Sequence, residues 1–363
     1  MSMVDVAPRA VGRPIPIHLG FRVNHLLQIS VQFLVFLYWA LYWPPAQVYL
    51  LQLAVLTVFA FVVDCVVSML RYGNWRAGFG PIPVVLSSSL FVWFVGDDTY
   101  MAFVMVGLGV ASKHLIQRGG RHIFNPSAFG VSMVAIPCLL FPRWFGAVDI
   151  SHQLNTPPNM VEVIFLLALF VHWQVPVILI TIGAALSSLV MLLVIPLVFH
   201  AHPYSPSVSW APIYLGISLL VTDPATTPKR PMAQFLFGFA YMIGFAVIGS
   251  LLNFDHMNYW SKMLPIPIIN VLAPSFDRFV AARPTLSVSW LEQGFNRWHV
   301  LAWGVLVFAV LCLVPTKPNY FDPQVSRAAR FTQFDSTGSV TCLTNPVFCR
   351  PFSFGREVYM WLR

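Results

Sequence analysis

The sequence alternates long apolar runs with short polar breaks. Eleven runs stand out, at 24–43, 47–70, 82–95, 99–116, 125–141, 160–172, 176–199, 210–222, 232–253, 261–276 and 298–315. Apolar runs of this length read as membrane-spanning helices. Four of them, 82–95, 160–172, 210–222 and 261–276, are too short to cross straight. They are predicted to be half-helices buried among neighbours, where irregular backbone is tolerated at membrane depth.

Two breaks share one form. Asn125-Pro126-Ser127-Ala128-Phe129-Gly130 follows an apolar run and the basic residues Lys113, Arg118 and Arg121. Thr222-Asp223-Pro224-Ala225-Thr226-Thr227-Pro228 repeats the form in the second half. Asn and Asp are strong N-caps and Pro suits the first helical position, so a helix is predicted to start at Asn125 and another at Asp223. Interrupted segments at corresponding places in two halves mark the binding site of repeat-built carriers. The predicted fold is an all-α polytopic membrane protein with about 10–11 transmembrane helices and broken half-helices; the family resemblance below implies that they form two inverted repeats. The predicted division is a cytoplasmic N-terminal segment (1–23), a transmembrane domain (24–282), a linker with an extra helix (283–315) and a polar tail (316–363).

Composition agrees. The chain is 58% hydrophobic and 9% charged, where soluble domains carry roughly 25% charged residues. The net charge of +8 does not imply nucleic acid as a partner, because the basic residues sit between apolar runs. With the N-terminus in the cytoplasm and every run crossing, the inside loops hold 13 of the 21 Lys and Arg residues. The outside loops hold only Arg143 and Lys262. That asymmetry predicts a multi-pass membrane protein with a cytoplasmic N-terminus; the family resemblance below implies the bacterial cytoplasmic (inner) membrane. Residues 1–22 lack an apolar core, so the first span is expected to serve as its own insertion signal. The cysteines, Cys65, Cys138, Cys312, Cys342 and Cys349, have no metal-ligand spacing, and no metal site is expected. If the last run crosses, Cys342 and Cys349 lie outside and can pair; otherwise they are thiols of a cytoplasmic tail. Trp and Tyr residues at 38–43, 72–75 and 259–260 fit interfacial belts.

Candidate chemistry is sparse. Asp64 lies within Phe61-Val62-Val63-Asp64-Cys65-Val66-Val67. A carboxylate there serves a cation or proton pathway, pairs with a buried partner, or snorkels to the inner surface near Arg71. Asp223 and Asp277 stand at inner ends of short runs; both are candidates for the ion pathway, and Asp223 has capping as its first role. Asn125 and Asn270 suit caps or interhelical hydrogen bonds. Lys113, His114, Arg121 and His122 form a predicted basic rim beside the Asn125 break, able to meet a phosphate or a quinone headgroup.

The stretch from Lys113-His114-Leu115 through Arg118-Gly119-Gly120-Arg121-His122-Ile123-Phe124-Asn125-Pro126-Ser127-Ala128-Phe129-Gly130 resembles the RnfD/NqrB family. Its members are flavin-carrying membrane subunits of Rnf-type electron transport complexes and of the sodium-translocating NADH:quinone oxidoreductase. Leu220-Val221-Thr222-Asp223-Pro224-Ala225-Thr226, Gln234-Phe235-Leu236-Phe237-Gly238 and Ile268 through Asp277 are similar to further family patches, and Asp64 matches an acidic residue of the second helix. The resemblance implies ten helices in two inverted halves. It implies flavin, as FMN or riboflavin, and electron transfer coupled to Na⁺ or H⁺ movement beside other subunits of a membrane redox complex, with quinone as a further partner. The residues it assigns to flavin are Asn125, Ser127, Lys113, Arg121 and Thr226, with Thr156 where the family attaches FMN covalently. Leu154 and Asn155 precede Thr156 in place of the family's small residues, and Pro157 and Pro158 follow it. A divergent member without covalent FMN is therefore expected. Two other readings are a small-molecule permease or channel of the same fold without flavin, and a scaffold subunit of a membrane complex.

Overall fold

A computed structural model describes residues 23–75, 78–94, 96–141, 148–150, 153–154, 157, 159–199, 210–251, 259–286 and 289–313, with 333–334 and 340–341. Most of these residues are helical. The helices are α1 (Val23–Tyr42), α2 (Pro44–Tyr72), α3 (Pro81–Ser89), α4 (Tyr100–Leu115), α5 (Pro126–Leu140), α6 (Met160–Gln174), α7 (Ile178–Phe199), α8 (Trp210–Leu215), α9 (Pro231–Leu251), α10 (Tyr259–Met263), α11 (Pro265–Ala281) and α12 (Asn296–Leu313). Among the described residues, four stretches are long and apolar enough to cross a bilayer: His25–Tyr42, Pro44–Tyr72, Pro231–Leu251 and Ser261–Ala281. The chain is a helical membrane protein.

The second helix shows how the apolar pattern becomes packing. Pro44 and Pro45 open α2, and Gly73, with φ 70, ends it in the left-handed conformation glycine tolerates. Its buried residues, Ala46, Tyr49, Leu53, Leu56, Ala60, Asp64 and Ser68, recur every three or four positions and form one stripe. Leu51, Val55, Val58, Val62 and Val66 face away and are exposed. Asp64 therefore lies on the side turned into the protein, not on the side open to snorkelling.

In lipid, helices gain little from hydrophobic burial against one another, so close approach of backbones and buried hydrogen bonds carry the association. Two helix crossings use glycine for this. A Cβ on Gly109 of α4 would lie 2.6 Å from the carbonyl oxygen of Pro126 in α5. At the α7–α9 crossing, Gly183 faces Phe235 and Gly238 faces Ile180, again with carbonyl oxygens where a Cβ would go.

The broken runs are only partly as expected. Run 82–95 is α3 followed by the short strand β1 (Val92–Trp93). Run 210–222 is α8 continued by a π-helical turn, Gly216–Leu220. Run 160–172 is the short helix α6, below spanning length as expected, whereas 261–276 belongs to a stretch long enough to span. The latter extends because the helix continues past Asp277 and Arg278 to Ala281. Asn125 does cap a helix: its side chain accepts from Ala128 N, with Pro126 in the first turn. Asp223 does not. It lies in a turn whose carboxylate accepts from Ala225 N at 2.9 Å, and the next helix begins only at Pro231.

The two ends of the helical body differ in charge. At one end β2 (Gln117–Arg118) and β3 (Arg121–His122) form a hairpin beside the 221–230 loop and the end of α11. Arg71, Lys113, Arg118, Arg121, Lys229, Arg230 and Arg278 gather there. At the other end β1 pairs with β4 (Val148–Asp149), near Asp97 and Asp98. Trp39, Trp43, Trp93 and Tyr49 stack at this second end, Tyr49 and Trp93 with ring centroids 3.9 Å apart. Trp39 is fully buried and its indole N–H donates to the carbonyl of Gln153, so it is a packing residue and not part of an interfacial belt. Lys262, expected in an outside loop, is buried at 1% exposure in α10. The extra helix α12 packs against the rest, with Asn296 donating to the carbonyl of His172 and Trp303 to the hydroxyl of Tyr214. Thr156, Cys342, Cys349 and the N-terminal segment lie outside the described residues.

Candidate functional site: the junction of the two breaks and its carboxylates

The two breaks meet. Asn125 is the hub. Its backbone N–H donates to Asn270 Oδ1 at 3.0 Å, and its Nδ2 donates to the carbonyl of Leu220 at 2.9 Å. Its Oδ1 accepts from Ser127 Oγ at 2.7 Å and from Ala128 N at 3.2 Å. Asn270 Nδ2 reaches the carbonyl of Thr226 at 3.4 Å. All four side chains, of Asn125, Ser127, Thr226 and Asn270, are buried. The π-helical turn helps: its wider winding leaves the Ile217 and Leu220 carbonyls to Thr181 and Asn125. The Thr227 hydroxyl, also buried here, has no hydrogen-bond partner.

Two His–Asp pairs flank the junction. Asp64 is 1% exposed; its Oδ1 lies 2.7 Å from His114 Nε2 and 3.3 Å from Lys113 Nζ. Asp223 Oδ2 accepts from His122 Nε2 at 3.2 Å. Partial burial pushes the Asp223 carboxyl up, but the hydrogen bond and charge of His122, the Ala225 amide and the Lys229 charge outweigh it and hold it below the usual carboxylate range. Lys229 is drawn below its ordinary value by burial and by the charge of Arg121, against Asp223 and Asp277.

Asp277 takes a structural position. Both its oxygens accept from Lys229 N at 3.0 Å, and Oδ1 accepts from Arg230 N at 2.9 Å. A carboxylate at the start of α9 suits the positive end of the helix dipole.

The predicted basic rim divides. Lys113 and His114 turn to Asp64, and His122 turns to Asp223. Arg121 stays exposed in the hairpin. Asn125 has its amide and both side-chain polar atoms engaged within the protein. Of the residues assigned to flavin, Asn125, Ser127 and Thr226 meet in the junction, while Lys113 turns to Asp64 and Arg121 is exposed in the hairpin.

Two buried polar groups escaped the sequence reading. His172 is fully buried, with Nε2 3.2 Å from Thr181 Oγ1, and that hydroxyl donates to the carbonyl of Ile217 at 3.0 Å. A polar residue within the apolar run 160–172 was the available signal. No family model and no curated protein matches the sequence.

Proposed function

We propose that the chain is a membrane subunit that moves a monovalent cation, H⁺ or Na⁺, between its two ends, as part of an ion-translocating electron transport complex. The observation that carries the cation part is Asp64: a carboxylate on the buried stripe of a spanning helix, paired to groups on α4. Intramembrane carboxylates are costly and mark ion and proton routes. Asp223 lies at the basic end beside the junction and extends the route there. The electron-transport part rests on the motif resemblance, which includes the RnfD/NqrB-like Asn125 and Asp223 breaks.

Matching contacts in the two halves support a repeat, and the inversion of its halves is part of the proposal. The helix order α1–α5 runs parallel to α6 through α10–α11: α2 packs on α4 as α7 packs on α9, α1 on α3 as α6 on α8, and α4 on α5 as α9 on α11. The second broken run matches the first, α3 against α8 with its π turn. The basic end is assigned to the cytoplasm by the charge rule. A reporter fused after Arg121 that read external would reverse this assignment.

The second reading is a flavin-free permease or channel, favoured by the engagement of Asn125 and Lys113 within the protein. The full chain, purified and reconstituted in vesicles, separates the two. Flavin absorption together with potential-driven cation uptake supports the redox subunit. Uptake without flavin supports the channel, and absence of uptake overturns the cation route in both.

A further inference from the structure

Among the described residues Asp64 is the only buried carboxylate, and what surrounds it is nitrogen. Sodium and other hard cations are held by several oxygen ligands. Here one carboxylate oxygen already faces an imidazole at 2.7 Å and an ammonium at 3.3 Å. The ammonium stands where a metal cation would bind and, carrying the same sign of charge, repels it. Ser68, one turn further along α2, donates to the carbonyl of Cys65. The Lys113 ammonium lies against Gly80, the residue that precedes α3.

We infer that the Asp64–His114 pair is a proton-binding site, exchanging protons with the basic end, and that Lys113 keeps alkali cations out. The inference rests on the cation-moving reading above and selects its ion. The step is a single proton transfer: an imidazolium N–H of His114 gives its proton to Asp64 Oδ1, leaving neutral imidazole and neutral carboxyl, and the reverse step restores the ion pair. No electron moves. A way to the surface runs past Lys113, which is 26% exposed. The Tyr72 ring lies edge-on to the His114 ring at 5.8 Å, and its hydroxyl accepts from Gln117 Nε2 at 2.8 Å in the basic hairpin. The titratable groups around Asp64 are thus Lys113 and His114 on α4, Cys65 and Tyr72 on α2, and His25 of α1 across Gly80.

Infrared difference spectroscopy on the full chain in lipid vesicles tests this. Acidification from about pH 9 to about pH 2 spans both the histidine and the carboxylate ranges. A carboxyl C=O band is expected to rise, to be missing in Asp64→Asn, and to be unchanged when K⁺ is replaced by Na⁺. In His114→Gln the band persists but rises at least ~10-fold more slowly, the loss expected of a removed proton carrier. The Na⁺ exchange and His114→Gln are read on protein that keeps Asp64, so they do not depend on how Asp64→Asn folds. Suppression of the band by Na⁺, no band at any pH in the range, or an unchanged rate in His114→Gln each overturns the inference. Vesicles that show the expected band but no cation uptake overturn the conduction reading and leave the proton site standing.

Discussion

Asn125 and Asn270, 145 residues apart in sequence, are joined by a 3.0 Å hydrogen bond from the backbone of the first to the side chain of the second. This bond ties the first break to α11, and Asn270 in turn holds the second break through the carbonyl of Thr226. The junction is therefore a single buried network, in which one lost member leaves others unsatisfied.

Asn270→Ala removes the acceptor for the Asn125 amide and the donor to Thr226. Leaving a buried backbone amide unpaired costs about 1–3 kcal/mol. Thermal unfolding in detergent is expected to show this loss, and Asn125→Ala a loss of the same order. The double variant is expected to lose less than the sum of the two, since the residues share partners. Full additivity would mean that the junction does not act as a unit.

Gly238→Ala and Gly130→Ala place a Cβ against carbonyl oxygens of Ile180 and Met105, where backbone must move. Gly107→Ala meets only the edge of the Phe59 ring at 3.5 Å, an ordinary contact. The first two are expected to destabilise by about 1–3 kcal/mol, as overpacking does, and the third by much less. Equal tolerance at all three positions in a folding assay would contradict the close crossings.

Much of this was legible in the chain. Run lengths located nearly every helix, and the Asn-Pro pair located the start of α5. Asp64 was conspicuous as a charge in an apolar run. What escaped depended on tertiary contacts. Nothing local shows that Asp223 holds a turn while Asp277, from another helix, caps α9. The basic rim reads as one patch because the residues are close in sequence, yet Lys113 on α4 meets Asp64 while the hairpin carries His122 to Asp223. Trp39 looked interfacial because its burial is created by Trp93, from a run far along the chain.

The Asp223–His122 pair gives a pH dependence. A carboxyl held below its ordinary value in the folded state contributes stability that is full above the unfolded value, about 3.9, and is lost as pH falls through the lower folded value. The stability difference between wild type and Asp223→Asn is expected to be at its full value above about pH 4 and to shrink below it. A difference that stayed constant down to about pH 2 would mean that the carboxyl is not held low.

Cation uptake into vesicles driven by an imposed membrane potential tests the central claim most directly, with wild type, Asp64→Asn and Asp277→Asn compared side by side. Asp277 serves backbone amides, so its variant is the control for a carboxylate changed away from the route. The expected result is uptake in wild type, at least ~10² slower uptake in Asp64→Asn as for removal of a proton-transfer group, and near wild-type uptake per folded protein in Asp277→Asn. Uptake in Asp64→Asn equal to wild type would contradict a cation route through the buried carboxylate.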